Sequence, residues 1–356
     1  MGKAAAPPGE RQPRDDKIPA MRLTLLVPDL LPPPELLLPL RPAYRNVELL
    51  LGRGGCACGP GESFEPALFR IWDIAGLPVA PLTALADGLA QSAPGHVWLR
   101  ADPVHLHIER DHIQMFDAHR FELAQHEADA LAATLNGHFA RDGLRIETPH
   151  PARWYVQVPA ADAPASAPLW DVSGRSMFEH LPGVSGAADW KARGNEAQMM
   201  LYEHPVNAAR EARGAVPVNG VWFWGAGTLP AVPSAHFTAV VTADALTLGL
   251  AIRAGIPAEA PRALRQLIER TREGTVLVAF GGLSDAIRAG DAARWSDAFT
   301  AADTDWFAPA LQGLRDGTIG AVRVVAPSAT RTLEATVRKS DLLKFWRRMR
   351  LSASDA

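Results

Sequence analysis

The sequence predicts an α/β fold: a mostly parallel sheet sandwiched by helices, with a small α+β subdomain inserted into it. Three observations carry that expectation. Short unbroken apolar runs recur at residues 23–27, 221–224, 237–241 and 276–280, as expected of strands buried on both faces. These runs end near Gly or Asp and lead toward segments with apolar residues at helical spacing, the alternation of a parallel sheet. Between residues 95 and 160 the texture changes to alternating strands, one long helix and a closing strand.

Length and composition bound the answer. A chain of 356 residues holds one large α/β domain or two smaller ones. The net charge of -3 argues against a general nucleic-acid partner. No apolar run approaches the ~18 residues of a membrane span. Residues 1–20 are Pro-rich and charged without an apolar stretch, so they are expected to be a disordered N-terminal extension and not a signal peptide. The only cysteines are Cys56 and Cys58, which excludes a disulfide framework and points to a reducing cytoplasm. Their Cys-x-Cys spacing lacks the second pair of a zinc site. The expected organisation is a discontinuous core, 21–94 and 165–350, around an inserted subdomain at 95–160.

The first run, 22–27, is expected to be a central strand, and it ends at Pro28-Asp29. An Asp just past a strand's carboxyl end is where α/β folds place ligands or metals, and it also suits a turn cap. Residues 36–51 are helical in part, broken by Pro39 and Pro42; residues 52–55 form a glycine loop without the Lys and Ser/Thr of a phosphate loop. Helices follow at 64–74 and 82–90.

In the subdomain, 96–100 and 104–108 are strands, and the alternation of the second puts His105 and His107 on one face. With His96, His112, His119, His126, Asp102 and Asp117 these suggest a metal module. A solvated sheet face explains the same pattern. A helix is expected at 124–139 and a strand at 153–158.

Residues 170–198 are rich in polar and turn residues. Ser173, Arg175, Ser176, His180 and Asn195 are candidates to line a cleft. Were the chain catalytic, Ser173 or Ser176 would be the nucleophile beside Arg175 and His180, yet no base–nucleophile pair or G-x-S-x-G elbow is evident. The strand at 221–224 stops at Gly225-Ala226-Gly227, where backbone can approach a ligand closely; Trp224, Gly225 and Gly227 are therefore ligand-binding candidates. A helix capped at Thr242 or Asp244 runs to Gly255. The strand at 275–280 leads to Asp285. A parallel sheet would put Asp29 and Asp285 on one edge. Residues 321–325 are a strand, 330–337 an edge strand, and 340–350 an amphipathic helix.

The order of pieces resembles a known family. Leu99-Arg100-Ala101-Asp102-Pro103, continuing through His138 to Trp154-Tyr155-Val156, resembles the inserted small domain of archaeal-type cofactor-independent phosphoglycerate mutases, part of the alkaline phosphatase superfamily. Residues 219–230 resemble that family's strand and Arg-Gly-Ala-Gly turn, 240–255 its next strand and helix, and 278–291 its strand ending in an Asp/His metal segment. The resemblance implies an alkaline-phosphatase-like sheet, two divalent metals (Mn or Zn) held by Asp and His, and a phosphoryl group carried on Ser or Thr.

The chain departs from that pattern. Asp29 and Asp285 are the only metal candidates. Trp224 replaces the Arg of the glycine turn, Arg288 stands where a His is expected, and the last histidine is His236. Trp154-Tyr155, Asp171-Val172-Ser173-Gly174 and Trp222-Phe223-Trp224-Gly225 resemble the proteobacterial regulatory proteins of the RpfE type. Together these features lead to the expectation of a catalytically degenerate, phosphoglycerate-mutase-like bacterial protein. It would need no cofactor and would bind a small-molecule ligand or a protein partner in a regulatory role. The alternative is an active metal-dependent phosphomutase or phosphatase acting on a small phosphate ester.

Overall fold

Two sheets, wedged apart by short helices, organise the chain. The computed structural model describes residues 20–31, 45–108, 113–118, 120–180, 187–232, 236–271, 273–349 and 351. The expected N-terminal extension lies outside the described residues apart from Ala20, as do His112 and His119. In chain order the first elements are β1 (Met21–Leu26), α1 (Arg45–Gly54), β2 (Ala57–Pro60), α2 (Phe64–Ile71) and α3 (Val79–Ala86). Next come β3 (His96–Ile108), β4 (Ile113–Asp117), α4 (Gln125–Phe139), β5 (Ile146–His150) and β6 (Arg153–Pro159). Then follow α5 (Leu169–Val172), α6 (Ala187–Tyr202), α7 (Pro205–Ala212), β7 (Gly220–Gly227), β8 (Ala239–Thr242) and α8 (Ala245–Ala254). The last are β9 (Ala258–Glu259), α9 (Leu264–Arg270), β10 (Thr275–Ala279), α10 (Gly282–Ala289), α11 (Ala292–Ala302), α12 (Ala308–Asp316), β11 (Ile319–Pro327) and β12 (Arg331–Arg338).

The first sheet has the order β2-β12-β11-β1-β10-β8-β9. Its strands run parallel except β12, which is antiparallel to both of its neighbours, β11 and β2. This is the mostly parallel, helix-flanked sheet expected from the apolar runs. On one face Leu23 and Leu25 pack with Val276, Val278 and Val322 against Leu50, Trp295 and Phe307. On the other, Leu26, Leu277 and Val325 pack against Phe64, Leu68 and Trp72. A strand buried on both faces has no polar alternation, which is why the runs were visible in the sequence.

The second sheet is antiparallel, in the order β4-β3-β6-β5, with β7 also paired to β3. The two strands expected at 96–100 and 104–108 are one continuous strand of 13 residues. Its length lets it pair with β6 and β4 along one edge and β7 along the other. The run at 221–224 is thus a strand, as expected, but it joins this second sheet and not the parallel one that contains β8. Periodicity reports burial and not partner choice, and β7 is apolar because Trp222 and Trp224 face one core cluster while Val221 and Phe223 face another.

Three further expectations are corrected. The expected edge strand at 330–337 is interior, because β2 covers it. The glycine loop at 52–55 is largely the last turn of α1. The expected C-terminal helix at 340–350 forms only a 3₁₀ turn, Lys339–Leu343. Arg53 Nη1 donates to the carbonyls of Lys344 (2.5 Å) and Arg347 (2.8 Å), capturing acceptors that a helix would need. Leu343, Phe345 and Trp346 are left exposed.

Helix α3 sits between the sheets and touches β3, β7 and α8. Its crossing with α8 is so close that a Cβ on Gly249 would lie 2.0 Å from the Leu82 carbonyl oxygen. In a helix interior, Ala for Gly gains about 1 kcal/mol in propensity. Overpacking a tight core costs about 1–3 kcal/mol and occasionally more. The obstacle here is backbone, which cannot rotate away. Gly249→Ala is therefore expected to lower stability by about 2 kcal/mol; a urea midpoint equal to or above wild type would contradict this.

Candidate functional site

The carboxyl ends of β1, β10 and β8 lie side by side, and polar groups gather there. Beyond β1, Val27 N donates to Val325 O at 2.8 Å and Asp29 N to Pro327 O at 2.9 Å, so β11 carries the chain to the turn. Asp29 has φ 53°, a left-handed backbone that Asp and Asn tolerate better than most residues. Ser284 Oγ donates to Asp29 Oδ2 at 2.6 Å, and Trp295 Nε1 donates to the Asp29 carbonyl at 3.1 Å. Burial pushes the Asp29 carboxyl above its ordinary value, and the Ser284 bond and the Arg288 charge pull it partly back.

Ser284 and Asp285 stand in the first turn of α10, which follows β10 directly. Since β10 is the parallel neighbour of β1, Asp29 and the Ser284–Asp285 turn occupy one edge, as the sequence led us to expect. Asp285 is half-buried. At the end of β8, Asp244 caps α8 by accepting from Thr247 N and Thr247 Oγ1, each at 2.7 Å. Burial raises its pKa as well, opposed by these bonds and by the charges of Arg153 and Arg288. Arg288 therefore serves both Asp29 and Asp244.

Across from this edge lies a second polar group. Arg153 donates to Asp87 through Nε (2.8 Å) and Nη2 (2.6 Å), and Tyr155 Oη donates to the same carboxylate at 2.6 Å. Burial pushes Asp87 up, but these bonds and the Arg153 and Arg100 charges outweigh it, and its pKa falls below the ordinary value. Behind it, Arg100 binds Asp102 through Nε (2.9 Å) and Nη2 (2.7 Å), and Trp224 Nε1 donates to the other Asp102 oxygen at 2.7 Å. The Arg100 guanidinium lies over the rings of Tyr155 (5.2 Å) and Trp224 (5.4 Å). His150 is pushed down by burial and by Arg153, which keeps its imidazole neutral near pH ~7.

The other sequence candidates fall elsewhere. Trp224 is buried and committed to Asp102. Gly225 is required by its left-handed backbone, φ 68°, and Gly227 by close approach to protein, since a Cβ there would lie 3.2 Å from Pro78 Cβ. Residues 173–176 run along β4, with Gly174 N donating to Met115 O at 2.7 Å and Met115 N to Arg175 O at 3.2 Å. Among the described residues no hydrogen bond or ion pair joins the side chains of Ser173, Arg175, Ser176 or His180 to a base, to Asp29 or to Asp244. Asn195 lines a cavity of about 100 Å³ between α6 and the β3–β7 face, with Lys191, Gln198, Leu106 and Trp222. His105 Nδ1 lies 2.9 Å from the Pro217 carbonyl, and its ring is 6.1 Å from that of His107.

Among the described residues, no group of three or more His, Cys, Asp and Glu side chains converges as a metal cluster. At the carboxyl edge two acids are already engaged, Asp29 by Ser284 and Asp244 by Thr247, and a guanidinium stands beside them. Two divalent ions would need a larger set of anionic and imidazole donors than the described residues of this edge present. Sequence reasoning missed Ser284, Arg288, Asp87 and Arg153 as site residues. Asp87 and Arg153 are 66 residues apart and leave no local signal.

Fold and edge together define an α/β protein with polar groups gathered at the carboxyl edge of a mostly parallel sheet. The fold is shared with a protein of solved structure from Pyrococcus horikoshii, with TM-score 0.52 and 16% identity over 93% of this chain and 91% of that one. In sequence the chain is similar to 2,3-bisphosphoglycerate-independent phosphoglycerate mutases. It is 34% identical over 121 residues to a probable one from Geobacter sulfurreducens, covering 33% of this chain and 30% of that protein. It is 25% identical over 257 residues to the Methanosarcina mazei enzyme, covering 65% of this chain and 61% of that one. The matched stretches thus span less than two thirds of these relatives. No protein-family model matches the chain.

The raised pKa of Asp29 has a consequence for stability. The folded protein holds that proton more tightly than the unfolded chain, whose value is the ordinary 3.8. Stability is therefore lost as pH rises from the ordinary value through the raised one, and stays lost above it. Asp29→Asn keeps the left-handed backbone and an acceptor for Ser284 but has no charge to bury. It is expected to be more stable than wild type at about pH 7, with the gap closing toward about pH 4. Urea denaturation at the two pH values measures this; a gap that widens on acidification would refute it.

Proposed function

We propose that this chain is a catalytically degenerate phosphoglycerate-mutase-like protein whose carboxyl-edge site binds a ligand in a regulatory role. The observation that carries this reading is the state of Asp29. The carboxylate that matches the family's first metal ligand is bonded to Ser284 and lies in the field of Arg288, the residue that stands where the family pattern has a His. A guanidinium repels a dication and favours an anion. Arg288, whose charge reaches both Asp29 and Asp244, suits a small anionic ligand, and metal is not required to hold it. The regulatory assignment rests on the likeness of 154–155, 171–174 and 222–225 to RpfE-type proteins. The free thiols of Cys56 and Cys58 suit a cytoplasmic location. Among the described residues no helix is long and apolar enough to cross a membrane.

The rival is an active metal-dependent phosphomutase or phosphatase using Asp29 and Asp285. What favours it is the mutase description of the relatives, one of which matches over 257 residues. The two readings separate in one experiment: calorimetric titration of chelator-treated protein with manganese and with zinc, for wild type and Asp29→Asn, beside turnover of a panel of phosphate esters. The expected outcome is no stoichiometric metal binding and no turnover. Tight binding that disappears in the variant, accompanied by turnover, would establish the enzyme.

A further inference from the structure

The face of the first sheet that carries Leu26 changes character along its strands. At its carboxyl half, Leu26, Leu277 and Val325 are covered by α2. Toward the amino ends the covering helix has stopped, and the same face opens as a groove of about 1350 Å³. Strand register sets what lines it. In one row Arg22 of β1 lies opposite Ala321 of β11, which lies opposite Arg338 of β12. In the next row Thr24, Arg323 and Thr336 stand in the same order. Neighbouring strands are about 4.8 Å apart, so Arg22 and Arg338 start roughly 10 Å apart with only the Ala321 methyl between them. Arg323 rises from the middle strand about 7 Å further along. Lys339 and Ser340 extend the rim.

Of the four cations there, Arg323 is paired with Glu334 and the other three are not cancelled. The side chains of Arg22, Arg338 and Lys339 have no hydrogen bond or ion pair among the described residues. The nearby acids are engaged: Glu334 with Arg323 (2.6 Å) and Arg70 (3.3 Å), and Asp341 with Lys344 (2.5 Å). Asp341 also feels the Arg338 charge. A chain of net charge -3 thus keeps three unpaired cations, Arg22, Arg338 and Lys339, and the paired Arg323 around one groove.

We propose that this groove binds a small molecule bearing two or more phosphate groups. Guanidinium forks match phosphate oxygens bidentately, and the Thr24, Thr275 and Thr336 hydroxyls add neutral donors. The cations span about 10 by 7 Å, the size of an oligophosphate and too short to track a nucleic-acid strand. The groove lies at the amino ends of the strands whose carboxyl ends carry Asp29 and Ser284, so the two sites are separate.

The test is calorimetric titration of the full chain with inorganic tripolyphosphate at about 0.15 M salt. Four proteins are compared: wild type, Arg22→Gln with Arg338→Gln, Ala321→Glu, and Arg288→Gln. Arg22 and Arg338 are exposed, so their exchange spares the core. Wild type and Arg288→Gln are expected to bind one-to-one. The double variant and Ala321→Glu should bind at least about tenfold more weakly. The Arg288→Gln arm keeps this outcome independent of the carboxyl-edge reading. Absence of saturable binding, or equal affinity in the groove variants, overturns the proposal. So does tighter binding of poly-glutamate or a single-stranded polynucleotide, which would assign the face to a macromolecule.

Discussion

The Arg100–Asp102 pair ties three strands of the second sheet to helix α3. Both residues lie on β3, and the pair is almost wholly shielded from water. Charges so placed are costly unless every lone pair and proton is engaged. Here Trp224 of β7 takes the second carboxylate oxygen, Tyr155 of β6 and Trp224 flank the guanidinium, and Thr83 of α3 accepts from it at 3.3 Å. Three strands of the second sheet and the helix that packs between them and α8 are thereby registered on one ion pair. Removing any single partner would strand a buried charge, so the arrangement specifies one packing more than it adds stability.

That fixed packing brings β6 and the end of α3 up to the carboxyl edge of the parallel sheet. The crevice is built from elements far apart in sequence: the turn after β1, the first turn of α10, the cap of α8, and Arg153 with Asp87. Asp29, Asp244 and Asp87 are held by Ser284, Thr247 and Arg153, and the Arg288 charge reaches both Asp29 and Asp244. The fold resembles that of a solved Pyrococcus horikoshii protein, while on the proposed reading the edge has a role in anion recognition. A fold carries its scaffold more faithfully than its reaction.

How much of this the sequence disclosed follows from physical range. The parallel strands β1, β8 and β10 were legible because burial on both faces leaves an unbroken apolar run. The edge shared by Asp29 and Asp285 was legible because parallel neighbours end together. The partner of β7 was not, since Trp222 and Trp224 look the same against either sheet. The Asp87–Arg153 pair joins a helix end to a strand start and has no periodic signature. The tail misled because Leu342, Phe345 and Trp346 carry a helical stripe, while a single arginine on α1 decides where its carbonyls go. Gly225 and Gly227 were read as points where a ligand approaches, whereas at Gly227 the group that comes close is Pro78 and at Gly225 the glycine serves a left-handed turn.

The two ends of the first sheet bear on how copies of this chain meet. A broad, flat sheet exposes unpaired amides and carbonyls at its margins, which invite strands from another molecule. Here one margin is β2, four residues carrying Gly59 and closed by Pro60, and the other is β9, two residues preceded by Pro257. Neither is long enough to template a foreign strand, and the prolines remove donors where such a strand would dock. The sheet is in effect hemmed on both sides, so a chain rich in β-forming apolar runs is protected from edge-to-edge polymerisation by the brevity of its outermost strands.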